Sequence, residues 1–173
     1  MTIKIDFDYD IVLMELIVTK FKTFGIDNKK LAEEVLKNID IRLTNDPNDT
    51  KIEDSVLEIP EHSEANKLIS AINDFVKPMG LKNVEQWGQI HRPLESTNLH
   101  RHADYPFAWV YYVQIPPGSG DLTFWFFDRF KNHVTPTVGS IILFPGWMQH
   151  SVSRNTGKDI RISVSGNLNF FTE

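Results

Sequence analysis

From Val84 onward the chain is written in short β-prone segments separated by turns, and this pattern limits its fold more than any other feature. VEQWGQI, FAWVYYVQI, DLTFWFF, GSIILF, a segment from Gln149 to Ser153, and IRISVSGNL are each rich in branched and aromatic residues. Pro116-Pro117-Gly118-Ser119-Gly120 and Pro145-Gly146 supply turn chemistry between them. Many short strands at this spacing predict a sandwich or barrel of the jelly-roll kind.

The N-terminal half carries a helical period instead. In KKLAEEVLKNI, Leu31, Val35, Leu36 and Ile39 share one face, with Asp27 or Asn28 placed to cap it. A second helix is predicted from Ser63 to Val76, with Ala65, Leu68, Ile69, Ile72 and Phe75 as its apolar stripe. Leu43 to Asp54 is polar and turn-rich and reads as an exposed loop. The 173 residues fit one domain, residues 1–173, with a helical part to about 83 and a β core over about 84–171. The helices are expected to pack outside one sheet, giving a mainly β fold with flanking helices.

Composition narrows the chemistry. There is no cysteine, so thiolate catalysis, iron–sulfur clusters and disulfides drop out, and any metal must be held by His, Asp, Glu or water. A formal net charge of -5 argues against a nucleic-acid surface. MTIKIDFDYD lacks the basic and apolar regions of a signal peptide, and no apolar run is long enough for a bilayer. The expected setting is soluble and cytoplasmic, with neither nucleic acid nor membrane as partner.

One cluster carries chemistry. In His100-Arg101-His102-Ala103-Asp104, the His102-x-Asp104 pair places an imidazole and a carboxylate on one side of an extended strand. With His150 they make a two-His, one-carboxylate set, which leaves three coordination positions open and suits non-haem Fe(II) oxygen chemistry. His100-x-His102 overlaps this motif, so His100, His102 and His150 form an alternative, all-imidazole set. The carboxylate version is preferred because it lowers the charge of the centre. Arg161-x-Ser163 follows on the last strand, where an Arg fork matches a carboxylate with two parallel hydrogen bonds. Gln89 stands on the strand leading to the cluster, and Tyr111 or Tyr112 offers a further hydroxyl. Strand parity does not choose between the tyrosines, because Pro106 can shift the register. His62 reads as a solvated residue, His133 as a loop side chain, and His91 as the start of the loop before the cluster and a candidate substrate contact. The run Trp125, Phe126, Phe127 and Phe130 reads mainly as packing.

The order His-x-Asp, His, Arg-x-Ser resembles the Fe(II)/2-oxoglutarate-dependent dioxygenase superfamily, which implies a double-stranded β-helix, a jelly roll of the cupin-like kind. WVYYVQIPPGSGDLTFWFFD, VTPTVGSIILFPGWMQHSV and RISVSGNLNF resemble a small bacterial and phage, prolyl-hydroxylase-like branch, over about Val84 to Phe171. The resemblance implies that His102, Asp104 and His150 bind iron, that Arg161 grips the far carboxylate of 2-oxoglutarate, and that Ser163, Gln89 and one tyrosine assist. It implies Fe(II), 2-oxoglutarate and O2 as cofactors, and hydroxylation of an unactivated C–H bond with release of succinate and CO2. The substrate would be a peptide or protein residue such as proline, or a small molecule. Iron affinity is expected to fall below about pH 6.5, since the ligating imidazoles must be neutral. Two rival readings share the fold: a cupin-like metalloprotein without 2-oxoglutarate chemistry, and a non-catalytic jelly-roll binding module.

Overall fold

In the computed structural model, which describes residues 25–37, 39–41, 53–55, 57–126 and 130–171, two helices with two short strands between them precede eight further strands. Helix α1 spans Asn28–Lys37, capped by Asp27, whose Oδ1 accepts the N–H groups of Lys29 and Lys30 at 3.1 and 3.2 Å. Ile39 does not extend it, because the chain turns into strand β1 (Ile39–Ile41), paired with β2 (Glu53–Ser55). Most of the predicted loop at 43–54 lies outside the described residues, but Glu53 and Asp54 belong to β2 rather than a loop. Helix α2 spans Glu64–Val76, and Ser63 caps it by accepting the Asn66 N–H at 3.0 Å. The helices share their caps: the Glu34 carboxylate accepts the N–H groups of Glu64 and Ala65, and Glu64 accepts that of Asp27. A 3₁₀ turn at Lys77–Met79 and Gly80 in the left-handed region end the helical part.

The strands that follow are β3 (Leu81–His91), β4 (Thr97–His100), β5 (Phe107–Gln114), β6 (Leu122–Phe126), β7 (Phe130–Val134), β8 (Ile141–Pro145), β9 (Gln149–Val152) and β10 (Arg161–Phe170). They form a six-stranded sheet in the order β1-β2-β3-β10-β5-β8 and a four-stranded sheet in the order β4-β9-β6-β7. Every paired strand is antiparallel, and the whole is the expected jelly roll. Strands β4 and β7 are additions to the sequence reading; His133 lies on β7, within 2.9 Å of the Thr123 hydroxyl, and not in a loop. Phe127 lies outside the described residues.

Alternation along the large sheet divides its two faces. Trp109, Tyr111, Val113, Ile162 and Val164 point outward and pack under Leu31, Val35, Leu68 and Ile72 of the helices. Ala108, Val110 and Tyr112 point inward, meeting Leu122, Phe124, Phe144, Met148 and Val152 between the sheets. No helix among the described residues is long and apolar enough to cross a membrane.

Candidate metal and co-substrate site

The site lies between the sheets, where strand pairing sets its first two members opposite each other. In the β4–β9 ladder His100 is registered against His150. His102 follows two residues later, on a segment pinned by its N–H to the Gly146 carbonyl at 2.8 Å. The Gly146 N–H in turn donates to Pro106 at 3.0 Å. Only glycine allows this approach, since a Cβ at position 146 would stand 2.1 Å from the Tyr105 carbonyl oxygen. The Pro145-Gly146 turn thus locks the His102 segment to the entry of β9.

The result is a cluster in which one ring nitrogen from each of His100, His102 and His150 lies within 4.8 Å of the others. Asp104 is not in it. The strand ends at His100, and a turn closed by the Tyr105 N–H on the His102 carbonyl at 3.1 Å follows. Strand alternation therefore does not extend past His102, and Asp104 is left exposed on that turn. The structure gathers the all-imidazole set, and not the preferred set containing the carboxylate.

Hydrogen bonding orients two of these rings. His100 Nδ1 lies 2.8 Å from the Asn98 carbonyl, and His150 Nδ1 lies 3.0 Å from the Met148 carbonyl. A carbonyl only accepts, so each Nδ1 carries the proton and each Nε2 keeps its lone pair for a metal. Phe144 packs edge-on to His150 at 4.7 Å between ring centres, and Phe124 lies behind at 6.2 Å. Burial first, and the adjacent His100 ring second, hold His102 down to about 4 and His150 down to about 3. Both rings are therefore neutral at neutral pH, the form that binds metal.

On β10, Arg161 is 1% exposed. Its Nη1 donates to His91 Nδ1 at 3.0 Å, and His91 Nε2 lies 2.7 Å from the Thr97 hydroxyl. A guanidinium can only donate, so His91 Nδ1 is a lone pair and Nε2 holds the proton. Burial and the neighbouring positive charge keep His91 neutral, well below the usual imidazole range. Among the described residues no carboxylate forms an ion pair with Arg161. The Tyr112 ring centre stands 5.5 Å away. Arg161 Nε, the Tyr112 hydroxyl and the Ser163 hydroxyl are all buried without a well-formed hydrogen bond; the Tyr112 hydroxyl lies near the guanidinium, and Ser163 is registered directly against Tyr112.

Gln89, registered against Ser163, lines the same narrow cleft, which also takes in Trp87, the three histidines and Arg161. Tyr111 does not belong to it: it faces the helices, where its hydroxyl donates to Asn28 Oδ1 at 2.8 Å. The sequence reading placed His91 at the start of a loop as a candidate substrate contact, whereas it ends strand β3 and bonds Arg161. Its signal was parity, because it stands two residues after Gln89 on the same strand face. His62 is exposed, as expected.

A dicarboxylate fits this arrangement on physical grounds. A buried cation lacking an anion, flanked by two unsatisfied hydroxyls, is costly unless a charged acceptor completes it.

Residues 127–167 match the model of a family described as "Putative 2OG-Fe(II) oxygenase", a span that includes His150, Arg161 and Ser163. No curated protein shows significant sequence similarity to the chain. The fold is similar to that of a Pseudomonas putida prolyl-4-hydroxylase, at 16% identity and a TM-score of 0.71, covering 87% of this chain and 91% of that one. It is similar to a Trichoplax adhaerens prolyl hydroxylase solved with a hypoxia-inducible-factor peptide, at 12% identity and a TM-score of 0.71, covering 92% and 85%. A viral collagen prolyl hydroxylase from Paramecium Bursaria Chlorella virus-1, solved with 2-oxoglutarate, matches at 12% identity and a TM-score of 0.62, covering 91% and 98%. The chain thus shares a family motif with 2-oxoglutarate–Fe(II) oxygenases and the jelly-roll fold of prolyl hydroxylases.

Proposed function

We propose that this protein is an Fe(II)- and 2-oxoglutarate-dependent oxygenase whose iron is held by His100, His102 and His150. The observation that carries this reading is a buried, anion-free Arg161 lining the same cleft as three clustered histidines. Arg161 takes the distal carboxylate of 2-oxoglutarate, while the Tyr112 and Ser163 hydroxyls supply further hydrogen bonds. His91 accepts from Nη1 without adding charge and so fixes the guanidinium while leaving it attractive to an anion. The carbonyls of Asn98 and Met148 hold two of the imidazoles in the ligating tautomer. Phe124 and Phe144 exclude water behind them.

When bound, the iron supplies oxygen activation coupled to decarboxylation of the co-substrate. The overall reaction converts a substrate C–H bond, 2-oxoglutarate and O2 into C–OH, succinate and CO2. Some relatives in fold are prolyl hydroxylases and others are enzymes of nogalamycin biosynthesis, so the substrate is either a peptidyl residue such as proline or a small molecule.

A cupin-like metalloprotein without 2-oxoglutarate chemistry has no use for Arg161, and a binding module has no use for the histidines. Anaerobic addition of Fe(II) and then 2-oxoglutarate separates the three readings. The expected outcome is a weak visible charge-transfer band that needs both components. Iron uptake with no band on adding 2-oxoglutarate supports the metalloprotein; no iron uptake supports the module.

A further inference from the structure

The inner face of the large sheet carries two facing rows of side chains. Along β3 these are His91, Gln89, Trp87 and Glu85; along β10 they are Arg161, Ser163, Ser165 and Asn167, each registered against its counterpart. The rungs run from a buried cation at one end to a carboxylate at the other. Six residues of extended strand separate Glu85 from His91, roughly 20 Å. The metal cluster lies between them, since the Trp87 ring centre is 5.7 Å from that of His102.

Glu85 is exposed but positioned. The Asn167 side-chain amide donates to its Oε1, and the Tyr105 hydroxyl lies against the same carboxylate. Asn167 itself is 2% exposed, and its Oδ1 has no hydrogen-bond partner. No basic side chain among the described residues forms an ion pair with Glu85. The row thus ends in an anion without a cation, as it begins in a cation without an anion. Beside the anion stand an aromatic wall, Trp87, and an unsatisfied acceptor, Asn167 Oδ1. A carboxylate, an amide oxygen and an indole face together suit a donor-only, positively charged nitrogen on an apolar stem.

Resting on the oxygenase reading, we propose that Glu85, Trp87, Tyr105 and Asn167 form a substrate subsite that selects a cationic amine or guanidinium, presenting the adjoining carbon chain to the metal cluster. The source of that group is a basic peptide side chain or a free small amine.

The test uses whole protein loaded with Mn(II) and saturating 2-oxoglutarate, and reads Mn-dependent broadening of ligand proton resonances. The probes are capped alanine tripeptides carrying lysine, norleucine or glutamate at the centre, and n-butylamine. The lysine peptide is expected to broaden at concentrations about tenfold below the norleucine peptide, with the glutamate peptide weakest. That lysine-to-norleucine ratio should collapse toward unity in Glu85→Gln, a result that a merely structural role for Glu85 does not produce. Preference for n-butylamine over the lysine peptide assigns the subsite to a small amine; the reverse assigns it to a peptide. Equal broadening by lysine and norleucine, or a ratio unchanged in Glu85→Gln, overturns the subsite while leaving the oxygenase reading intact. Failure to bind Mn(II) or 2-oxoglutarate overturns both.

Discussion

Tyr111 and Tyr112 are consecutive, both almost wholly buried, and their hydroxyls meet opposite fates. Tyr111 points to the helical face of the large sheet and donates to Asn28. Tyr112 points between the sheets, where its hydroxyl, Arg161 Nε and Ser163 Oγ are left without well-formed hydrogen bonds. The outer face is a finished interior in which apolar packing is closed by satisfied polar contacts. The inner face is unfinished at one spot, and the missing groups are acceptors. Since buried polar groups are nearly always paired, a local concentration of unpaired donors marks where a ligand belongs. The difference teaches that one strand can serve stability with one face and recognition with the other.

The strongest way to break this contrast is at Arg161. Arg161→Met should weaken 2-oxoglutarate binding by roughly 2–5 kcal/mol, the range for truncating one partner of a buried charge pair. Calorimetric titration measures the affinity, and thermal unfolding should show stability equal to or above wild type, because an uncompensated buried charge has gone. Retained affinity would remove the anchor from the account.

Next in size is the metal. His100→Ala should abolish stoichiometric Fe(II) or Mn(II) uptake, whereas Asp104→Ala should leave uptake unchanged, as read by metal analysis after desalting. The reverse pattern would restore the carboxylate ligand.

The tyrosine pair gives a smaller, crossed effect. Tyr111→Phe should cost about 1 kcal/mol of stability through the lost bond to Asn28 and leave 2-oxoglutarate affinity alone. Tyr112→Phe should leave stability unchanged or raised and cut affinity by a fewfold. Parallel denaturation and titration of both variants decides whether the two faces are as distinct as argued.

The last effect is on pH. His102 and His150 have folded values near 4 and 3, below the unfolded imidazole near 6.5. Between those limits the unfolded chain binds more protons, so metal-free stability falls as the pH drops from about 6.5 toward 4. Replacing His150 with glutamine should make that decline shallower. Proton competition for metal at these two rings also sets in only near pH 4, below the window expected from unperturbed imidazoles.

The jelly roll and both long helices were legible because periodicity survives in them: six strand segments, and the stripe Ala65, Leu68, Ile69, Ile72, are written plainly. The strands β4 and β7 were not, since Thr97–His100 and Phe130–Val134 mix polar residues with no clean alternation. Motif order singled out His150 and Arg161, which the structure places along one cleft. Asp104 falls outside the histidine cluster because the argument from alternation assumed an extended strand, and β4 ends at His100. The choice between Tyr111 and Tyr112 depended on register across Pro106, which only strand pairing settles. His91 was hidden because His-Arg-Pro looks like a loop opening, although β3 runs through His91 itself.

The His91–Arg161 contact has a consequence for the protein's persistence as a folded molecule. A neutral acceptor steadies the guanidinium but leaves its charge to be cancelled from outside. Binding a dianion only in the folded state makes resistance to unfolding rise with ligand concentration, by about 2.7 kcal/mol at a hundred times the dissociation constant. If Arg161 anchors 2-oxoglutarate as proposed, the level of that co-substrate sets the protein's resistance to unfolding as well as its activity.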